Sequence, residues 1–515
     1  MKRHLCLAAL TLFIMHSAGA QSPSVVGSQT QCNANVAAGH ACRNVDMLSR
    51  LSMADMQVRY LNDIWGWVDP DSDREYVLQG SSAAVVFVDV TDPVNPIYVG
   101  QLPGHDPQVH SLWRDMKVYK NHMYVTVDGV STNGVQIFDL TQLRAYSGSP
   151  ITFEETAAYE AITSAHNIAI NEETGFAYVV GYRLSNTMVQ LDQCGGRGLH
   201  MLDLQDPVNP AYAGCFADKQ TGRSRSGYTH DVQCVIYRGP QAKYRGREIC
   251  IGSNETHISI ADVTDKQNPM ALAISDYPAV GYSHQGWLTD DHRYFLMNDE
   301  FDESNGLPNT RTIIWDLQDL EDPIYFSSFN HSTSSIDHNL YVHGNYVYAA
   351  NYTTGLRILD ISDIKKPKEV AHFDTHLDSD NKSYDGAWSS FRFPDSGTTV
   401  VGSFPDGLFI LNPVLGTATN IDGSVEIPES FSLSSAYPNP FNPSTSAVLA
   451  LPEQAEVRAE ALDLLGRSVD VIHHGVLPAG EHTLTFDAGD LPSGTYYIRV
   501  QTDRYVTSTK VVLIK

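Results

Sequence analysis

Short apolar strands that end on an acidic or amide residue recur seven times along the chain: VVFVD, VQIFD, LHMLD, ISIAD, TIIWD, LRILD and LFILN. Their last residues are Asp89, Asp139, Asp203, Asp262, Asp316, Asp360 and Asn412, spaced by 50, 64, 59, 54, 44 and 52 residues. The runs are rich in β-branched residues, and most lead into a turn with proline. A period of that size, built from short strands and proline turns, predicts the blades of a β-propeller. In the sixth unit the pattern predicts strands over 339–343 and 346–350 around a His343-Gly344-Asn345 turn. A third strand ends at Asp360 and a fourth covers 368–373, which makes one four-stranded blade. The repeated aspartates are read as caps on the turns that follow them, a common use of Asx residues, and are assigned no chemistry.

The seventh unit supplies three strands, DGAWSSFRF, TTVVGS and GLFILN, and lacks an outer one. Ahead of the first complete unit lies an apolar segment, 44–53, with no partner of its own. Closing a ring by lending one terminus to the other terminus's blade protects the remaining sheet edges, so Val45 to Met53 is expected beside strand 407–411. Beyond Asn412 a turn-rich stretch, 414–435, reads as a linker. Residues 436–515 then form strands with Gly/Pro punctuation, as in a small Ig-like β-sandwich. The expected fold class is all-β: a seven-bladed β-propeller over 44–413, followed by that sandwich.

Composition adds a location. Residues 1–20 carry Lys2 and Arg3, then LCLAALTLFIM, then SAGA, the pattern of a cleavable signal peptide too short to anchor in a membrane. No other stretch is apolar enough to span a membrane. The formal charge is −26, and removal of Lys2 and Arg3 with the signal takes away two cations to leave −28. So acidic a chain opposes binding to nucleic acid or anionic membranes. Six of the seven cysteines lie outside the signal, an even number suited to an oxidising compartment. Cys234 and Cys250 fall opposite each other on a hairpin centred near residue 242. Cys32 and Cys42 bracket a short Ala/Gly-rich stretch within 21–43, and Cys194 and Cys215 flank the third strand of unit three. These placements suggest pairs; buried free thiols are the competing reading, and spacing alone does not fix connectivity.

Two resemblances follow from longer strings. Tyr437–Lys515, with YPNPFNP, DLLGR, LPSGTYYIRV and a terminal VVLIK, closely resembles the C-terminal sorting domain of type IX secretion systems. That resemblance implies passage through the periplasm and across the outer membrane, with the type IX machinery as partner, then release or surface attachment. From about Cys32 to Pro413, NVDMLSRL, NDIWGWVDP, FVDVTDPVNPIYVGQLP, SAHNIAINEETGFAYVVG, YTHDVQCVIYRGP and YSHQGWLTDDHRYFL look like the choice-of-anchor B family of LVIVD-repeat proteins. This second resemblance implies a secreted or surface propeller and names no reaction. Unit two departs from the repeat, with TQLRAYSG in place of the Asp-Pro-x-Asn-Pro turn, which leaves its outer edge undefined.

Several chemical motifs are discounted. CGGRG at 194–198 follows no strand-to-helix pattern, so it is not a nucleotide loop. Asp69, Asp71 and Asp73 open a calcium-loop spacing but lack its glycine and its twelfth-position acid. There is no G-x-S-x-G elbow and no His-Glu-x-x-His helix.

The histidines carry the strongest chemical signal. Aligning the units puts His166, His230, His284 and His338 at one equivalent position, the start of the innermost strand, with Arg114, Asp63 and Asp385 in the same register elsewhere. Reflection across the hairpins sets His230 opposite Asn254 with Glu255 next, and His284 opposite Asp299 with Glu300 next. Histidines, Glu255, Asp299 and Glu300 would thus gather at one mouth of the channel, a set suited to a divalent transition metal or a polar ligand. Adjacent blades favour His230, His284 and His338. The competing reading is that each histidine hydrogen-bonds a neighbouring blade and locks the ring. Trp65, Trp67, Trp113, Trp287 and Trp388 recur near the inner strands and are read as packing. The leading expectation is a secreted or cell-surface binding module whose ligand is an extracellular protein or glycan. The alternatives are a metal-dependent extracellular hydrolase or oxidoreductase, with catalytic residues unassigned, and a purely structural surface protein.

Overall fold

The computed structural model describes residues 23–515 apart from 106–108, 132, 187, 190, 416–430, 435, 437, 438, 453, 478, 479 and 490. The expected signal peptide and most of the expected linker lie outside the described residues. The chain separates into two compact units, Met1–Val414 and Leu415–Lys515.

The first unit is a β-propeller. Its described residues include seven antiparallel sheets, each with four strands that follow one another from an inner to an outer edge, apart from the additions described below. The inner strands are Leu61–Val68, Arg114–Tyr119, Asn167–Asn171, Asp231–Ile236, Ser283–Leu288, Leu340–His343 and Gly386–Arg392. Each neighbours the next, and Gly386–Arg392 returns to Leu61–Val68, so the sheets close into a ring. Every sheet is therefore covered on both faces by its neighbours. This is why the second and third strands read as continuous apolar runs rather than alternating ones: Glu75–Ser81 and Ala84–Asp89 are buried at every position.

The repeated aspartates cap turns. Asp89, Asp139, Asp203, Asp262, Asp316 and Asp360 each accept a hydrogen bond at Oδ1 from the backbone N–H two residues on, at 2.8–3.0 Å. In unit two, where the proline turn is missing, Asp139 instead caps a 3-10 turn over Leu140–Ala145. The outer strand of that sheet shrinks to Ala157–Tyr159, and Ile151–Thr152 pairs in parallel with the outer strand of the preceding sheet, Ile151 opposite Gly100.

Closure follows from the N-terminal segment. Val45–Leu51 pairs antiparallel with Gly407–Pro413 and becomes the outer strand of the seventh sheet. Just before it, Val36–Ala37 and His40–Arg43 extend the sixth sheet beyond Lys368–Phe373, with Cys42 opposite Phe373. The segment thus crosses from one sheet edge to the next and stitches them together. Disulfides join Cys32 to Cys42, Cys194 to Cys215 and Cys234 to Cys250. A closed loop with the last pair's separation of 16 residues restricts the unfolded chain by roughly 3 kcal/mol.

The second unit has a sheet of Ser432–Leu433, Ser444–Leu451 and Gly480–Asp487, and a four-stranded sheet of Ala455–Leu462, Ser468–Leu477, Gly494–Gln501 and Val506–Leu513. Its core includes Phe441, Ala461, Phe486, Tyr496, Ile498 and Val511. Among the described residues no helix is long and apolar enough to cross a membrane.

Candidate functional site

The four aligned histidines form a row across four neighbouring sheets, at or just before the start of each inner strand. Ring centroids lie 4.4 Å apart for His166 and His230, 4.4 Å for His230 and His284, and 4.3 Å for His284 and His338. All four line a single cavity of about 450 Å³. Local backbone features aim them. A bulge between Ser283 and Gln285 leaves His284 without a strand partner and turns it toward the cavity. The same bulge corrects the expected register: Ser283, not His284, stands opposite Asp299. Gly181, at φ 60°, lies so close to His166 that a Cβ there would fall 2.5 Å from the His166 Cβ.

In two of the rings a hydrogen bond fixes which nitrogen carries the proton. His230 Nδ1 contacts the His284 carbonyl at 3.0 Å, and His338 Nδ1 the Trp388 carbonyl at 2.6 Å. A carbonyl only accepts, so both Nδ1 atoms donate and each Nε2 keeps its lone pair. His284 Nδ1 is directed at the His338 carbonyl without forming a well-shaped bond. His166 Nδ1 pairs with Asp128 Oδ2 at 3.0 Å. The blade-locking reading and the ligand reading therefore describe opposite ends of the same rings.

Burial decides the charge state. It pushes His338 down to about 3, and burial together with the neighbouring imidazoles holds His230 and His284 well below the ordinary histidine range. Two imidazolium charges at this spacing would repel by about 4 kcal/mol at an effective dielectric of 20. The buried members of the row are neutral bases.

Glu300 completes the set. Its Oε2 lies 3.8 Å from His284 Nε2 and its Oε1 3.7 Å from His338 Nε2, and Tyr352 donates its hydroxyl to Oε1 at 3.0 Å. Burial raises Glu300 to about 7 against the Tyr352 bond, which favours the charged form. Ligand atoms of His284, Glu300 and His338 all lie within 4.8 Å of one another. The two His-to-Glu gaps are too long for hydrogen bonds and close to the roughly 3.4 Å edge of a tetrahedron with zinc-type bonds of ~2.0–2.1 Å.

The other expected site residues fall elsewhere. Asp299 is fully buried and accepts from the N–H groups of Gly281, Tyr282 and Phe301 and from the Tyr277 hydroxyl, so both its oxygens hold a loop. Glu255 takes the Arg223 N–H at 2.8 Å and does not line the cavity. Arg114 and Asp63 do line it, whereas Asp385 does not. Residues that sequence reasoning missed include Tyr228, Tyr282, Tyr352 and Asp128. The first two carried a signal, since each stands two residues before an aligned histidine in YTH and YSH. Trp113 and Trp388, read as packing, line the cavity, while Trp67 stacks on Tyr76 in the core. Trp65 and Trp287 line a second cavity of about 280 Å³ with Lys117 and Asp231.

Two apparent metal sites are closed. Asp192, Cys194 and Cys215 cluster, but the two sulfurs are joined in a disulfide and offer no thiolate. Asp69 is gripped by the Arg144 guanidinium and lowered to about 2 by it, so a side-chain cation occupies the place that the Asp69-Asp71-Asp73 spacing reserved for calcium.

Residues 435–515 match the model of the secretion system C-terminal sorting domain, and residues 338–375 match the LVIVD repeat. A search of curated proteins finds no match to the sequence. Among solved structures, the chain is similar to PorZ, an essential bacterial surface component of the type IX secretion system of Porphyromonas gingivalis, with 15% identity and a TM-score of 0.42. That alignment covers 86% of this chain and 58% of the other, so the chain spans little more than half the length of that protein. It is also similar to a functionally unknown protein from Desulfotomaculum acetoxidans (10% identity, TM-score 0.43, covering 67% of this chain and 97% of that one). A protein from Lactobacillus plantarum aligns with 10% identity and a TM-score of 0.43, covering 83% of this chain and all of the other. The sorting domain and the LVIVD repeat mark this chain as a secreted cell-surface protein.

Proposed function

We propose that the propeller is a surface binding module that captures its ligand at the histidine-lined channel mouth, through a divalent transition metal held by His284, His338 and Glu300. One observation carries this reading: His338 and His230 spend Nδ1 on a neighbouring sheet's carbonyl and keep Nε2 free, and the His338 and His284 Nε2 atoms face the same carboxylate. Metal-binding histidines are commonly oriented by a hydrogen bond of this kind. Two imidazoles and a carboxylate are donors for zinc and its neighbours rather than for calcium or magnesium. The cavity supports the ligand part of the reading. Its volume lies in the range of small-molecule pockets, and Trp113 and Tyr384 stand exposed among its lining residues beside the polar groups. A fourth coordination position facing that space would receive an oxygen or nitrogen of an extracellular protein, glycan or small solute.

The test is elemental analysis of the purified full chain after dialysis against zinc, manganese and copper in turn. About one transition metal per chain is expected, lost in His338→Ala and in Glu300→Gln. A wild-type protein that retains none of these metals would reduce the histidines to locks between sheets.

A further inference from the structure

We infer that the ligand of the histidine-lined cavity carries an oxyanion, a carboxylate or phosphate, received by Arg114 within the cavity and attracted by Arg197, Arg223 and Arg225 at its rim. The inference rests on the binding reading of this cavity and not on the metal. Arg114 opens the inner strand Arg114–Tyr119 of the second sheet, in the register that gives the next four sheets their histidines. Two sheets separate the second from the fifth, and two separate it from the sixth the other way round. Arg114 therefore stands across the ring from His284 and His338.

This arginine is 3% exposed and lines the cavity. It gives Nε to the Ser81 carbonyl at 3.1 Å, and its Nη1 has no partner. A buried donor left unpaired is costly, the more so on a charged group, unless a ligand brings the acceptor. Among the described residues no carboxylate serves. Asp115 Oδ1 takes Lys117 Nζ at 2.6 Å and its Oδ2 the Ile168 N–H at 2.8 Å. Asp128 pairs with His166, and Asp63 takes the Ile64 N–H at 2.8 Å. A guanidinium presents a fork of N–H groups that matches two oxygens of a carboxylate or phosphate.

Charge at the rim points the same way. Acids outnumber bases 60 to 34 in the chain, yet three exposed arginines meet beside this cavity. Arg223 lies 5.2 Å from the ring centroid of Tyr282 and 5.6 Å from that of Phe301, both lining residues. Arg225 follows on the same loop, which leads into the lining residue Tyr228, and Arg197 is bound to that loop through the Ser226 carbonyl. Arg197 and Arg223 each give an N–H to a carbonyl, and none of the three forms an ion pair among the described residues. The acids on the neighbouring loops face other groups. Glu255 takes the backbone N–H of Arg223 at 2.8 Å, Asp218 that of Gln220 at 2.9 Å, and Asp192 holds His200. Unneutralised cations beside a cavity raise the local concentration of anions. The formal charge of −26 opposes a long polyanion, and a cavity of about 450 Å³ suits a small group. The oxyanion thus belongs to a free acid or to one acidic residue of a glycan.

The experiment titrates the full chain by calorimetry, before and after treatment with EDTA. The probes are citrate, inorganic phosphate and trigalacturonate, each with its neutral methyl ester as control. At least one anion should bind more tightly than its ester, with and without metal. That preference should fall roughly ten- to a hundredfold in Arg114→Gln, as for a lost hydrogen bond to a charged group. It should fall about two- to fivefold in each of Arg223→Ser and Arg225→Ser, and the rim effect should disappear in about 1 M sodium chloride, where screening acts within about 3 Å. If Arg114→Gln does not fold, the double variant Arg223→Ser/Arg225→Ser, both positions being exposed, carries the test. Citrate or phosphate as the tighter probe marks a free acid, and trigalacturonate marks a glycan; either supports the inference. It is overturned if no anion is preferred over its ester in either metal state, or if the preference survives Arg114→Gln and the double variant alike. A chain that holds its metal but shows no arginine-dependent preference for anions loses this inference and keeps the metal site. A chain that prefers anions through Arg114 yet retains no metal loses the metal site and keeps this inference.

Discussion

Two buried histidines in this protein, His200 and His338, differ in what they can do. His200, on the third sheet, is completely buried, with Nδ1 on Asp192 Oδ2 at 2.9 Å and Nε2 on the Tyr159 hydroxyl at 2.9 Å. Asp192 in turn takes the Tyr182 hydroxyl at 2.7 Å and the Cys194 N–H at 2.8 Å. Nothing in that network is left to bind. His338 is 4% exposed, satisfies Nδ1 on a carbonyl, and turns Nε2 to a carboxylate 3.7 Å away across a cavity. Burial is alike in the two; what differs is that both ring nitrogens of His200 are paired and only one of His338 is.

The largest expected effect breaks the closed network. His200→Ala should destabilise the propeller by about 3–5 kcal/mol, because it strips partners from a buried carboxylate and a half-buried tyrosine and leaves a cavity. Urea unfolding would measure this, and bound transition metal should stay unchanged in the folded fraction. Metal loss in this variant would erase the distinction between the two histidines.

Acid should act on the open row. His338 is held at about 3 in the fold against an ordinary 6.5, so the unfolded chain takes up protons first. Its contribution is present above pH 6.5 and is lost as pH falls toward 3. Glu300 has the opposite sign: raised to about 7 from 4.5, it favours folding below pH 4.5 and that contribution is lost as pH rises to 7. With His230 and His284 also depressed, the metal-free chain should lose a few kcal/mol between pH 6.5 and 4. In Glu300→Gln the loss from 6.5 to 4.5 should be steeper, because the opposing term is gone. Equal slopes for both proteins in urea titrations across that range would show that Glu300 does not titrate as its burial dictates.

The smallest change sharpens the comparison at one atom. Tyr352→Phe removes the hydroxyl that Glu300 accepts, and should cost about 1 kcal/mol of stability. Orienting bonds of this kind influence metal affinity by roughly tenfold or more, so zinc binding should weaken by about tenfold in a competition assay with a chromogenic chelator. Unchanged affinity would make Tyr352 a packing residue.

Much of this was legible in one dimension, and the particular residues show why. The period from Asp89 to Asn412 recorded one supersecondary unit repeated, and each capping aspartate takes the N–H two residues ahead in its own turn. Equivalent positions in a repeat become equivalent positions in the ring, so His166, His230, His284 and His338 could be matched without coordinates. Of the partner acids, Glu300 falls where the same counting put it, whereas Glu255 and Asp299 do not. Placing Asp299 at the site required counting across a hairpin, and one bulged residue at His284 shifted the count by one. That shift gave the cavity Glu300 and committed Asp299 to the N–H groups of Gly281 and Tyr282 across the hairpin.

The sequence by itself determined the local and the repeated: strand runs, turn caps, the equivalence of the histidines and a C-terminal domain of another kind. Tertiary structure alone decided that His40–Arg43 lengthens the sixth sheet before Val45–Leu51 closes the seventh, since only the curvature of the ring brings those two edges side by side. It also decided which nitrogen of His230 and of His338 is free, because the carbonyls that take their Nδ1 atoms lie 54 and 50 residues away in the chain. Contacts at that separation depend on how sheets pack face to face, and no local pattern of apolar and polar residues encodes the distance between two backbones that meet only in the folded state.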